Sequence, residues 1–331
     1  MSSKRLSGSN PSRRTVLKGA ATAALAASAG PLLLGTKSAR AQAKLKKMSI
    51  FIGTTPHFGN IIVGDAKGLF EKEGLPVEVT NFASGSVAAD AFRAGRGNVV
   101  VTGDLPAIRL WSQGNIGFCP QANYSELSII VGKKAIKSAK DMKGKKIGVL
   151  MGSTSEFFAK LYLEKGGVKW EEVEAVNLRP AEMVTGLVRS DIQAFVIWQP
   201  FGWRAMAADP DTHIITTAGG YFHEWEACTT TKEYAKDHAA ELVAFCKGLD
   251  AAGKWIKANP DEAAKVVAAG IRLDDPKLAA DMLAKIDWSL AYTPKFRKDI
   301  DVVSAFVNIK VDWNTMFDPQ FLKKANPKWV E

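Results

Sequence analysis

The feature that most constrains this chain is a repeated rhythm: a short apolar run, a small polar turn, then an amphipathic stretch. It begins at "KKMSIFIGTT", a β-rich run that ends in Gly-Thr-Thr-Pro. "VGDAKGLFEKEG" follows as a helix expected to stop at Gly74, then "LPVEVTNF" as a strand and "SGSVAADAFRAG" as a turn with a helix ending at Gly95. "NVVVTG" and "DLPAIRLWSQG" repeat the pair. Alternation at this spacing predicts an α/β fold of parallel strands joined by right-handed crossovers, with helices on both faces.

A second unit of the same kind follows the expected strand pair "IGFCPQANYSELSIIVGKK", running from "DMKGKKIGVLMG" through "IQAFVIW" to "THIITTAGG". No long linker flanks it. The chain is therefore expected to cross between two units twice, near residues 124–130 and 218–226, and two crossings make a hinge. The expected division is a first lobe of residues 44–126 plus 224–331 and a second lobe of residues 127–223. The fold class is a two-lobed α/β arrangement with two mixed or parallel sheets. From Thr231 onward the pattern is helical, with Leu242, Phe245, Leu249, Ala252 and Ile256 at helical spacing. That segment reads as a helical wall without chemistry.

The formal net charge of +10 on 331 residues suggests a polyanionic partner until it is divided by segment. Residues 1–43 hold Lys4, Arg5, Arg13, Arg14, Lys18, Lys37 and Arg40 and no acid, which leaves the remainder at +3. No nucleic-acid partner is expected of so balanced a body. "SRRTVLKG" precedes an alanine- and leucine-rich run broken by Gly30 and Pro31, then "SARAQAK". The run is shorter than the ~20 apolar residues a membrane helix needs. Its layout reads as an export signal cut after Ala41 or Ala43, and its paired arginines match a twin-arginine motif with Val16 where Phe is usual. The expected location is the periplasm. Cys119, Cys228 and Cys246 fit no zinc or iron–sulfur spacing and read as buried small residues with one optional bridge.

In parallel α/β sheets, ligands gather beyond the carboxyl ends of the strands. The turns there are small and hydroxyl-rich: Gly53-Thr54-Thr55-Pro56-His57, Ala83-Ser84-Gly85-Ser86, Thr102-Gly103-Asp104 and Gly152-Ser153-Thr154-Ser155. Each precedes a helix, whose first N–H groups lack intrahelical partners and whose dipole favours an anion. Ser153 with Glu156 also reads as a capping box and Asp104 as an N-cap, roles compatible with binding. His57 is either a cleft residue or a satisfied structural histidine. His223, Glu224 and Glu226 near the second crossing could suggest a metal, but a tetrahedral site needs three or four ligands that converge, and neither metal nor cofactor is expected. There is no G-x-S-x-G, H-E-x-x-H or P-loop motif and no complete dinucleotide fingerprint, so binding is favoured over catalysis.

These pieces together resemble the bacterial ABC-transporter substrate-binding proteins of the nitrate, aliphatic sulfonate and taurine type, grouped with thiamin-precursor binders. The matching residues are Ala66–Leu75, Ser84-Gly85-Ser86, Val101–Asp104, Asp141–Val149, Gly152–Ser155 and Asp191–Pro200. The resemblance implies a monomeric two-lobed protein that closes on a small organic anion and docks on an inner-membrane permease. It places the ligand against Thr55, His57, Ser84, Gly85, Ser86, Thr102, Asp104, Ser153, Thr154, Ser155, Trp198 and Gln199, with Phe58 and Trp198 shielding the apolar part. Gln199 stands where relatives often carry Glu, which leaves Asp104 to hold any ammonium group. The alternatives are a thiamin-precursor binder, a sensor docking on a membrane receptor, and an enzyme of the thiamin-pyrimidine synthase kind. The enzyme reading expects clustered cysteines and no export signal.

Overall fold

The computed structural model describes residues 44–331; the expected export segment, with Arg13, Arg14 and both cleavage positions, lies outside the described residues. The first sheet is built by β1 (Met48–Gly53), α1 (Gly59–Ala66), α2 (Leu69–Lys72), β2 (Val77–Phe82), α3 (Gly85–Arg93), β3 (Val99–Gly103), α4 (Asp104–Ser112) and β4 (Ile116–Asn123). The single helix expected to run to Gly74 is two, because Gly68 takes a left-handed φ of 61° and breaks the ladder.

Past Tyr124 the chain enters a second sheet through β5 (Ser128–Lys133), β6 (Lys146–Val149), α5 (Thr154–Lys165), β7 (Glu174–Asn177), α6 (Pro180–Val188), β8 (Ala194–Trp198), α7 (Phe201–Ala208) and β9 (Thr212–Thr217). It then returns as β10 (Trp225–Thr230) to the first sheet. The strand orders are β2-β1-β3-β10-β4 and β7-β6-β8-β5-β9.

Both sheets are mixed. β10 runs antiparallel to β3 and β4, and β5 runs antiparallel to β8 and β9. Of the mixed or parallel arrangements expected, both sheets are the mixed one: β5 and β10, which enter their sheets without a crossover helix, run against their neighbours, and the other strands are parallel. The two strands within "IGFCPQANYSELSIIVGKK", β4 and β5, are consecutive but belong to different sheets.

Apolar residues cover both faces of the second sheet, so Ile129-Ile130-Val131 reads as an unbroken apolar run. Ile129 and Val131 pack with Phe195 and Leu187, and Ile130 with Phe158 and Val149 on the other side. The first sheet is backed by helices of the C-terminal third, α8 (Lys232–Asp237), α9 (Ala239–Ala258), α10 (Pro260–Gly270), α11 (Pro276–Leu283), α12 (Pro294–Phe306) and α13 (Gln320–Ala325). Leu242, Phe245, Leu249, Ala252 and Ile256 of α9 are all buried. Phe245 stacks on Phe70 with centroids 5.5 Å apart and also meets Phe118. The three cysteines are buried free thiols, Cys228 standing opposite Cys119 across the β10–β4 pair.

Candidate functional site

A narrow cavity of about 30 Å³ lies where the carboxyl ends of strands from both sheets meet. That is the room of roughly two waters. The first sheet contributes Thr55, His57 and Phe58 after β1, Gly85 and Ser86 at the start of α3, Gly103 at the end of β3, and Pro106 of α4. The second contributes Ser153 and Thr154 at the start of α5, and Trp198 at the end of β8. Tyr124, where the chain leaves the first sheet, and Glu226, where β10 re-enters it, complete the wall.

Of the residues singled out in the sequence, Thr55, His57, Phe58, Gly85, Ser86, Ser153, Thr154 and Trp198 face this cavity. Ser84, Thr102, Asp104, Ser155 and Gln199 do not line it, and each makes a hydrogen bond elsewhere. Ser84 caps α3, its hydroxyl accepting from Val87 N at 3.3 Å. The Thr102 hydroxyl donates to Gly103 O at 3.1 Å, and that of Ser155 to Val196 O at 2.5 Å. Gln199 Oε1 accepts from Trp203 N at 3.2 Å. The expected caps are also shifted. Gly103 occupies the cap position of α4, so Asp104 is its first residue, accepting from Leu105 N at 2.7 Å. Ser153 does cap α5, but Glu156 accepts from Gly152 N at 2.8 Å, so the reciprocal half of the box falls one residue early.

Glu226, Tyr124, Gly103 and Pro106 are cavity residues that the turn patterns did not single out as binding contacts. Their signal was present in one place: Glu224 and Glu226 are two acids inside "WEACTT" and its flank, a stretch otherwise as apolar as a core strand. Both are buried.

The sheets meet closely. Asp104 Oδ1 accepts from the Thr154 hydroxyl at 2.6 Å, and Arg109 Nη1 donates to Gly152 O at 3.4 Å. A side chain at Gly103 would place its Cβ 3.1 Å from Thr154 Oγ1 and 3.2 Å from the Tyr124 hydroxyl, tighter than ordinary contact. Gly103 therefore sets how near the two helix starts come.

The electrostatics of the cavity are one-sided. His57 is fully enclosed, its Nδ1 paired with Thr55 Oγ1 at 2.9 Å and its ring packed on Tyr124 with centroids 4.1 Å apart. Burial lowers its pKa to about 3, so the imidazole is neutral at neutral pH. Asp104 is raised to about 6, chiefly by burial. Glu224 and Glu226 are raised well above the usual carboxylate range, first by burial and then by the Asp104 charge. No lysine or arginine is among the residues facing the cavity. Arg179, Arg204 and Arg272 line a separate outer cleft beside Thr54 and Phe201. Among the described residues, no group of three His, Cys, Asp or Glu side chains is placed to hold a metal ion.

The comparisons bear on this arrangement. The NMT1-like family model matches residues 41–271. The chain belongs to the NMT1-like family. It is 30% identical over 208 residues to the taurine-binding periplasmic protein of Escherichia coli, a span covering 60% of this chain and 63% of that one. The alkanesulfonate-binding protein of Xanthomonas axonopodis pv. citri, solved bound to MOPS, superposes with a TM-score of 0.70 at 17% identity, over 80% of this chain and 93% of that one. A ligand-binding component of an ABC-type import system from Staphylococcus aureus, solved with zinc bound, gives 0.73 at 14% identity over 85% and 99%. These relatives and neighbours are binding proteins, not enzymes. They share with this chain the two-lobed fold of periplasmic binding proteins.

Proposed function

We propose that this protein is the exported solute-binding component of an ABC importer, and that it captures a small organic solute between its two lobes and presents the closed form to an inner-membrane permease. The lobes are residues 44–126 with 224–331, and residues 127–223. The hinge is the pair of segments around Tyr124–Leu127 and Ala218–Glu224, the two places among the described residues where the strand order passes from one sheet to the other. Solute occupies the inner cavity, its oxyanion or polar head against the first N–H groups of α3 and α5 and the hydroxyls of Thr55, Ser86 and Thr154, its carbon skeleton against Phe58 and Trp198. Ser84, Thr102, Asp104, Ser155 and Gln199 hold those contacts in place from behind.

The observation that carries this reading is that helix starts from both sheets converge on one cavity whose polar atoms are left without partners: His57 Nε2, Ser86 Oγ, Trp198 Nε1 and Glu226 Oε2. Buried polar groups normally have partners. A solute that supplies them binds the closed arrangement better than any arrangement with the lobes apart, and that difference drives closure. The cavity is narrow, so a solute of more than a few atoms enters only when the lobes part. The relatives' names direct the choice of test solutes to sulfonates and taurine.

The test is a thermal-shift and calorimetric screen of the protein lacking residues 1–43 against taurine, alkanesulfonates, nitrate and aromatic acids. A solute at 100 times its Kd adds roughly 2.7 kcal/mol of stability. A flat response across the panel would refute the reading.

A further inference from the structure

The cavity wall holds a buried acid and no cationic side chain, and this restricts the solute. Glu226 is 3% exposed, faces the cavity, and keeps Oε2 without a partner while its carboxylate takes the Tyr124 hydroxyl. Asp104 from α4 and Glu224, the residue before β10, lie close enough to act on it electrostatically. The other titratable groups around it are neutral at neutral pH: Tyr124 and Cys228, both raised by burial, and His57, which burial keeps uncharged. Farther out, the Asp299 carboxylate accepts from Trp225 Nε1 at 2.9 Å and pairs with Lys295 Nζ at 2.8 Å. The side chains facing the cavity are therefore neutral or negative at neutral pH, and Arg109 is turned to the Gly152 carbonyl.

Resting on the solute-binding reading above, we infer that Glu226 is the specificity-determining residue and that it selects a solute carrying a protonated nitrogen. Such a solute is a zwitterion or an amine, with its cationic end on Glu226 and any oxyanion at the helix starts. A simple anion would sit near the Asp104 charge with no cationic side chain on the cavity wall to receive it. An ammonium group needs only one of them ionised, and it satisfies the unpartnered Oε2 directly. Binding then has a signature. Glu226 is held in its acid form in the empty cavity by burial and by Asp104, so an arriving ammonium ionises it and a proton leaves to solvent.

The experiment pairs taurine with ethanesulfonate and β-alanine with propionate, each by calorimetry at pH 7 in buffers of different ionisation enthalpy, on the wild type and on Glu226→Gln. The expected result is that each amine binds about 10- to 100-fold tighter than its deaminated partner, that binding releases a fraction of a proton up to one, and that Glu226→Gln removes both the preference and the release. Circular dichroism of the variant guards against misfolding, and the wild-type proton count stands without it. Equal binding of ethanesulfonate and taurine, or proton uptake instead of release, overturns the inference and leaves the solute-binding reading standing. Binding of none of the four overturns the inference, while the wider screen above decides the reading itself.

Discussion

Asp104, the first residue of α4, accepts a 2.6 Å hydrogen bond from the hydroxyl of Thr154, the first residue of α5, and so ties the first sheet to the second at the wall of the cavity. The same carboxylate is buried among acids, and its pKa is raised to about 6. One contact thus links lobe approach to protonation.

The sign of that linkage is definite. A carboxyl group whose folded pKa lies above its unfolded value of 3.8 contributes stability that is fully present below about 3.8 and is lost as pH rises through about 6. Glu224 and Glu226 are raised in the same direction and extend the loss to higher pH. Melting temperature is expected to climb as pH falls from 8 to 5, and to climb less in Asp104→Asn. Thr154→Val, which removes the donor, is expected to cost about 1–3 kcal/mol. Urea titrations at pH 5 and pH 8 measure both, and a wild type insensitive to pH over that range would contradict the assignment.

Gly103→Ala tests the close approach. Its Cβ would stand 3.1 Å from Thr154 Oγ1 and 3.2 Å from the Tyr124 hydroxyl, so the lobes must separate by a few tenths of an ångström. Overpacking of this sort costs about 1–3 kcal/mol. Solute affinity is expected to fall while the far-ultraviolet circular dichroism stays that of the wild type. Unchanged affinity would place the lobes farther apart in the bound state.

The thiols give a simple check of the core. Cys119, Cys228 and Cys246 are fully buried, and burial pushes all three pKa values up. Ellman's reagent should react with none in the native protein and with three after denaturation under reducing-agent-free conditions. A thiol that reacts at once in native buffer would show that the β10–β4 region is open.

Phe245 probes the helical third. Its ring stacks on Phe70 and meets Phe118 with no exposed surface, so Phe245→Ala leaves a cavity between α9 and the first sheet. The expected loss is about 3–5 kcal/mol by chemical denaturation. A loss under 1 kcal/mol would mean that the site collapses freely.

Much of the fold was legible because its signals are local. Apolar runs, glycine stops such as Gly74 and Gly95, and the helical spacing of Leu242 to Ile256 each report on a few neighbouring residues. Strand direction was not, because "SIIVGK" and "WEACTT" run against sheet neighbours far off in sequence and nothing within either run reports it. At the cavity, turn chemistry pointed to the right loops but not to the right atoms. The hydroxyls of Ser84 and Thr102 satisfy nearby backbone, while that of Ser155 turns away to Val196 O on β8. Tyr124 reaches the cavity from the head of the short 3-10 turn Ser125–Leu127 and Glu226 from strand β10, neither of them one of the strand-to-helix turns. Two acids in a buried strand were the available clue, and their meaning depends on partners more than 100 residues away.

Closure around solute is the claim on which the rest depends, and spin labels measure it most directly. Val188 on α6 and Val302 on α12 are 38% and 50% exposed and sit on opposite lobes, and the native thiols are buried, so Val188→Cys with Val302→Cys takes label at those two places. Pulsed dipolar distances should form a broad distribution without solute and collapse to a shorter, narrower one with saturating taurine or whichever solute stabilises most in the screen. A distribution that does not move when that solute is bound would contradict the account.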